Sequence, residues 1–367
     1  MSAFLSLLVL CFGFSDTFTV VDVQVPEGWE DDCYSFVEPG RHLVSCSRWN
    51  SDLQKYEVMI LDHGEGVDTV LVDDERIEEI GSILPASGGG YYITCLEDDK
   101  FPQTSAALLT ETGTVEWLTP LDLELGGSGA FAELPGGGFV MGGNLHRGSG
   151  YRSYHLVLLD GEGSITAELE GDLDEEVGSV EVTDEGLLMV GEMPGSDQTQ
   201  AFARLFELDG ELAWEYRCDP GMFANFRCMD VFDGGYVFGG IYSTEERPMP
   251  GIVVEVDDSG SEVWRSSVLP DSGYQQVYIN SVMRLDDGSV LGVGYSMADN
   301  APRGTNDALI FLLDSEGNEL ESEILGIPGQ NHEGFFGLHE DSLGEVSVYC
   351  QCRGADYEGG RYFLVEL

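Results

Sequence analysis

The sequence predicts an all-β fold, a single seven-bladed β-propeller of four-stranded antiparallel blades, on three observations. A glycine turn between two short apolar segments recurs seven times, at Gly40, Gly90, Gly138, Gly186, Gly235, Gly288 and Gly344. Its spacing of 48 to 56 residues runs through nearly all of the 367, and a period of that size marks an architecture built from one repeated supersecondary unit. The 49 glycines, the plentiful β-branched and aromatic residues and the lack of a long segment with apolar residues at helical spacing read as strands and tight turns. The last repeat is one strand short, and a strand-like segment ahead of the first repeat has no partner of its own.

The clearest copy covers residues 279–325. SVMRL (281–285) reads as a strand, DDG (286–288) as a turn and SVLGVGYS (289–296) as a second strand. After a polar loop, ALIFLLD (308–314) is the third strand, SEGN (315–318) the second turn and ELESEIL (319–325) the fourth strand. Four antiparallel strands joined by glycine-bearing turns make one unit. FVMGG (139–143) and YVFGG (236–240) match the second strand; HLVLLD (155–160), ARLFELD (203–209) and IVVEVD (252–257) match the third. The second turn carries Gly66, Gly113, Gly163, Gly210, Gly260 and Gly317, and Trp117, Trp214 and Trp264 each follow it by four residues, which predicts rings packed between neighbouring units. The final repeat stops at its third strand, RYFLVEL (361–367). TFTVVDVQV (17–25) is expected to pair with it, closing the ring and covering an open edge.

Residues 1–15 read as a signal peptide and 16–367 as the repeat domain. The apolar run AFLSLLVLCFGF (3–14) is too short to span a bilayer and suits an export signal, although no Lys or Arg precedes it. LVLC (8–11) has the outline of a lipoprotein box, with Leu10 bulky where a small residue is usual. Export implies a secreted, periplasmic or cell-surface location and permits disulfides. Cys33 and Cys46 lie symmetrically about the Gly40 turn and would face each other. Cys218 and Cys228 bracket a short connection, and Cys350 and Cys352 sit on one strand face, poorly placed to bridge. Seven cysteines beyond Cys11 leave at least one thiol unpaired.

DGGYVFGG … VEVDDSGSEVW (233–264) resembles the repeats of secreted bacterial β-propellers and, more loosely, PQQ-like and WD40-like propellers. The resemblance implies architecture and little about activity. WD40 Gly-His and Trp-Asp pairs are missing, as is the adjacent cysteine pair associated with quinoprotein dehydrogenases, and DSGSEVW (258–264) misses the sialidase box by one residue. There is no P-loop, G-x-G-x-x-G, G-x-S-x-G or H-E-x-x-H, so no cofactor and no metal site is expected. His332–Glu333 and His339–Glu340 have the wrong spacing for a helical zinc site. Asp257, Asp258, Asp286 and Asp287 read as turn formers, because an aspartate side chain bonds the backbone two residues on.

Charge is the remaining signal. The net charge is −52, with lysine only at Lys55 and Lys100. A carboxylate-rich surface repels nucleic acid and anionic membranes, and suits either a soluble secreted protein or life in high salt. The predicted loops between second and third strands (48–55, 96–105, 145–154, 192–201, 241–251, 296–307 and 353–361) hold nine of the 16 basic residues and only twelve of the 68 acids. The densest stretch is HRGSGYRSYH (146–155). Arg147, Tyr151, Arg152, Tyr154, Arg247, Arg303, Arg353 and Arg361 are therefore the candidate binding face, since arginine with tyrosine suits carboxylate, sulfate or sugar recognition. The functional expectation is a monomeric, exported, non-catalytic platform for a protein, glycan or other anionic ligand. The alternative is a propeller-fold glycan hydrolase or lyase, which would cluster titratable groups with shifted pKa values in a pocket.

Overall fold

The computed structural model describes residues 19–23, 32–38, 41–51, 55–62, 68–97, 103–124, 130–147, 151–172, 174–195, 199–218, 223–243, 249–269, 274–298, 306–325, 330–340, 346–354 and 360–366. The expected signal peptide lies outside them.

Among the described residues twenty-eight strands follow in chain order. β1 (Thr19–Val23) comes first. β2 (Asp32–Glu38), β3 (Arg41–Asn50), β4 (Lys55–Asp62) and β5 (Asp68–Leu71) form one antiparallel sheet. β6 (Ile77–Pro85), β7 (Tyr91–Glu97), β8 (Gln103–Leu109) and β9 (Val115–Glu124) form the next. β10 (Ala130–Glu133), β11 (Phe139–Arg147), β12 (Tyr151–Leu159) and β13 (Ile165–Glu170) form a third. β14 (Glu176–Thr183), β15 (Gly186–Pro194), β16 (Thr199–Phe206), β17 (Leu212–Cys218), β18 (Phe223–Phe232), β19 (Gly235–Ser243), β20 (Gly251–Asp257) and β21 (Glu262–Val268) belong to one eight-stranded sheet. β22 (Tyr274–Arg284), β23 (Val290–Ala298), β24 (Asp307–Leu313) and β25 (Glu319–Leu325) form another four-stranded sheet. β26 (Gln330–Glu340), β27 (Val346–Gly354) and β28 (Gly360–Glu366) complete the last, in the order β1-β28-β27-β26.

This corrects the predicted fold class. The strands and their antiparallel order are found, but not as a closed ring of seven separate blades. Five four-stranded sheets are separate and open at their edges, eight strands share one sheet, and the chain divides into two compact units, Val25–Arg217 and Met1–Gln24 with Cys218–Leu367. The protein is all-β and repeat-like. A glycine turn fixes only the two strands it joins; whether successive sheets stay separate depends on contacts that a turn period does not encode. The expected pairing of the two end segments is present: β1 runs antiparallel to β28 from Thr19↔Glu366 to Val23↔Tyr362.

Two local devices repeat. The hairpin turn between third and fourth strands is clamped by a side-chain oxygen at its first residue. Asp160 Oδ1 accepts from the Glu162 and Ser164 amides, Asp257 Oδ1 from Ser259 and Ser261, and Asp314 Oδ1 from Glu316 and Asn318. Thr110 Oγ1 does the same for Thr112 and Thr114. The third residue beyond the clamp is a glycine in the left-handed region, as at Gly317 (φ 81°), a conformation that penalises any side chain.

The second device is a bulge in the first strand of five sets, which leaves Gly81, Gly178, Arg227, Asn280 and Phe336 without a register partner. The bulged backbone presses on the second strand. A Cβ on Gly240 would lie 1.9 Å from the Asn225 carbonyl oxygen, and one on Gly294 would lie 1.9 Å from that of Tyr278. The glycines of YVFGG and SVLGVGYS are thus required by close approach.

Apolar faces of successive sheets pack together within each unit. In residues 25–217 Ile60, Ile80, Ile93 and Leu109 form one core layer, Tyr92, Phe139, Met141 and Val157 a second, and Leu156, Val180, Met189 and Phe202 a third. In the other unit Val237, Val253, Ile279, Leu309 and Phe311 meet in one cluster. Each such side chain contributes about 1.5–3 kcal/mol. Trp117 packs between sets as expected: its indole N–H donates to the Gly161 carbonyl at 3.0 Å and its ring stacks on Phe139 at 5.9 Å. Trp264 covers Gly317, where a Cβ would lie 2.5 Å from the ring.

A candidate ligand-binding site

The candidate site lies in the unit that contains residues 218–367 and is assembled by the bulges of β18 and β22. At a bulge the extra residue is freed from the pleat and its side chain is re-aimed. In β18 that residue is Arg227, between Phe226↔Gly240 and Cys228↔Gly239. In β22 it is Asn280, between Ile279↔Gly294 and Ser281↔Val293. The equivalent positions in the other unit are Gly81 and Gly178, so two repeats carry polar side chains where two others carry none.

Arg227 is exposed, and its guanidinium carbon lies 5.5 Å from the centre of the Tyr278 ring. Tyr278 stacks on its cross-strand neighbour Tyr295, with ring centroids 4.7 Å apart and planes 17° from parallel. The Tyr278 hydroxyl donates to Gln276 Oε1 at 3.4 Å. Gln276 is anchored in turn, its amide donating to Met249 Sδ at 3.5 Å while the Val277 N–H donates to the Met249 carbonyl at 2.9 Å. Asn225, Gln276, Tyr278, Asn280 and Tyr295 are all half-buried. Burial raises the Tyr278 hydroxyl above its ordinary pKa, with Tyr295 adding and Arg227 opposing. Neighbouring Cys228 is buried, and burial pushes its thiol up to about 12.

Arg227 differs from the other arginines. Arg48, Arg76, Arg204, Arg217, Arg265 and Arg284 each face a carboxylate, on Glu57, Asp74, Glu175, Glu215, Glu262 and Glu255 respectively. Arg227 forms no ion pair among the described residues, in a chain of net charge −52. Its guanidinium lies instead against an aromatic face, the Tyr278 ring.

The residues singled out from sequence are placed differently. Arg147, Tyr151 and Arg152 lie on strands rather than in a loop: β11 and β12 continue to the pairs Arg147↔Tyr151 and His146↔Arg152. Arg353 and Arg361 are likewise in β27 and β28. The side chains of these five, and Arg247 and Arg303 altogether, lie outside the described residues. Tyr154 is 5 % exposed and belongs to the core. Its hydroxyl accepts from Arg204 at 3.4 Å. Arg204, 8 % exposed, makes a two-pronged bond to Glu175 (2.8 and 2.9 Å), reaches Glu215 at 2.6 Å and lies 4.5 Å from the centre of the Phe202 ring. Every strong donor direction of this guanidinium is used internally, so the cluster ties β12, β16 and β17 together and leaves little for a ligand.

His155 Nε2 meets Glu168 at 2.8 Å. Cys46 is disulfide-bonded, and the backbone register sets it opposite Cys33. Cys95, Cys218 and Cys228 are buried and not disulfide-bonded. Among the described residues no group of three or more His, Cys, Asp or Glu side chains could hold a metal ion, and no helix is long and apolar enough to cross a membrane.

Neither a protein-family model nor a curated protein matches the chain. Solved structures do, at low identity. The β-propeller domain of the Trilobed protease from Pyrococcus furiosus, with an open velcro topology, is 11 % identical over 92 % of this chain and 94 % of its own, with a TM-score of 0.53. The acylaminoacyl peptidase of Pyrococcus horikoshii is 10 % identical over 90 % of this chain and 50 % of its own, with a TM-score of 0.51. These likenesses show an all-β, multi-sheet architecture, and no activity passes across them.

The sequence reading missed Arg227, Tyr278 and Tyr295. Its weight fell on loops, where these residues are not. The one available signal was the strand pattern Tyr274, Gln276, Tyr278, Asn280, polar on alternate positions of a strand that should present apolar ones.

Proposed function

We propose that the protein is a non-catalytic binding platform whose contact surface includes Arg227, Tyr278 and Tyr295, and that its ligand carries an anionic group. One observation carries this reading: an exposed guanidinium with no carboxylate partner among the described residues lies beside a pair of stacked tyrosines. In so acidic a chain an arginine is readily neutralised by its own neighbours, as six others are. Leaving one open preserves five N–H donors for an external acceptor, and the adjoining rings add stacking area at little cost in side-chain entropy.

The test is a binding screen over immobilised carboxylated, sulfated, phosphorylated and neutral ligands, with wild type and Arg227→Ala. The expected result is capture of at least one anionic ligand, weakened about tenfold or more by the substitution and weakened further by salt, with the melting temperature unchanged. Capture that is indifferent to Arg227 across the whole panel overturns the proposal.

A further inference from the structure

We infer that the ligand of this site is a sugar ring bearing a single carboxylate, a hexuronate-type residue; the inference rests on the reading of Arg227, Tyr278 and Tyr295 as a binding surface. Three features select the class. The first is charge. A chain of net charge −52 repels a polyanion, whereas a monoanion can pair with Arg227 and escape most of that repulsion. The second is shape. Arg227 offers a planar fork that matches the two oxygens of a carboxylate, and a carboxylate on a rigid ring holds that orientation.

The third is the surroundings of the cation. Tyr278 and Tyr295 are half-buried and stacked, a surface suited to the C–H face of a pyranose. Arg227 and Tyr278 come from the two bulged strands, and Gln276, bonded to Met249 Sδ and to the Tyr278 hydroxyl, holds that ring in place. Gly240 and Gly294 hold the strand backbones beside these residues: a Cβ on either would collide with the carbonyl of Asn225 or Tyr278.

The experiment is calorimetric titration of a galacturonate trisaccharide, the matching neutral galactose trisaccharide, a heparin-type polysulfate and an aspartate-rich peptide. The proteins are wild type, Arg227→Ala, Arg227→Lys, Tyr295→Leu and Tyr295→Phe, each first checked for an unchanged melt. The uronate is expected to bind wild type, about tenfold or more weaker in Arg227→Ala, with an intermediate loss in Arg227→Lys, where the fork is gone but the charge remains. Tyr295→Leu should weaken it several-fold, while Tyr295→Phe, which keeps the stacked ring, should restore it. The neutral sugar and the polysulfate should bind more weakly than the uronate. Equal binding of the neutral sugar removes the carboxylate from the assignment. Arg227-dependent binding of the peptide or polysulfate in preference to the uronate overturns the sugar class and leaves the platform reading standing. Absence of Arg227-dependent binding to every probe overturns both.

Discussion

Two arginines of the same chain show how environment sets the use of a residue. Arg204 is enclosed by Glu175, Glu215, Tyr154 and Phe202, and its bonds to the two carboxylates outweigh burial and hold its pKa above the ordinary value. For Glu215 burial acts upward, but hydrogen bonds from Arg217 and Arg204 prevail and hold the carboxyl below its usual range. Glu175 is 3 % exposed, so removing its cation leaves a buried charge uncompensated. Arg204→Ala should therefore cost about 3–5 kcal/mol in chemical denaturation, and Arg204→Met with Glu175→Leu should recover most of that loss. A loss below about 1 kcal/mol in the single variant would show that Glu175 finds water or another partner. Arg227, by contrast, is exposed beside a tyrosine, and its truncation should leave the unfolding curve unmoved. Sequence could not separate the two. Tyr154 read as a loop aromatic because the connection before it was taken as ten residues; β12 begins at Tyr151, and strand alternation turns Tyr154 inward.

At the level of single elements, the turns were the most legible part of the chain. A glycine in the left-handed region three residues after Asp or Thr has few alternatives to a hairpin, and the clamps at Thr110, Asp160, Asp257 and Asp314 explain why. The bulges were illegible, because a bulge is a mismatch between two strands and neither strand announces it alone. Only their shadows are visible, in the glycines at 240 and 294. The turn carboxylates make a pH prediction. Bonds from Ser259, Ser289 and Asn318 lower the carboxyls of Asp257, Asp287 and Asp314 below their ordinary value. A folded pKa below the unfolded one, about 3.9, stabilises above that value, and the contribution is lost as pH falls through the folded pKa. Glu323 has the opposite sign: burial, then Glu321, raises it, so its contribution holds at low pH and is lost as pH rises through the folded value. Replacing Asp257, Asp287 and Asp314 together by Asn should flatten the fall in melting temperature below about pH 4. An acid limb as steep as that of wild type would assign the loss to other carboxylates.

Across the whole molecule, the seven-fold repeat in the sequence described strand sets well and their assembly poorly. Eight strands in one sheet and two compact units are properties of contacts between sets, which turn spacing does not specify. The end strands were foreseen because the arithmetic of strands per repeat left one segment over at each end. β1 covers the edge of β28, whose N–H and C=O groups would otherwise be open to other chains. Deleting residues 19–23 should lower the melting temperature by several degrees and shift the protein toward larger species on gel filtration. An unchanged melt and a single monomeric peak would show that β28 does not need its partner.

The same pairing bears on the order of events as the chain leaves the ribosome. Residues 25–217 form a continuous segment that contains three complete four-stranded sheets, whereas the other unit draws on segments before and after it. β1 ends at Val23 and its partner begins at Gly360, roughly 340 residues later. At about 5–20 residues per second, β1 waits on the order of 20–70 s for β28. Until then it is a short strand with unpaired backbone, available to passing chaperones or to a neighbouring nascent chain. Translation speed over the final segment, and chaperone supply during it, should therefore govern the yield of this protein more than conditions during synthesis of its middle.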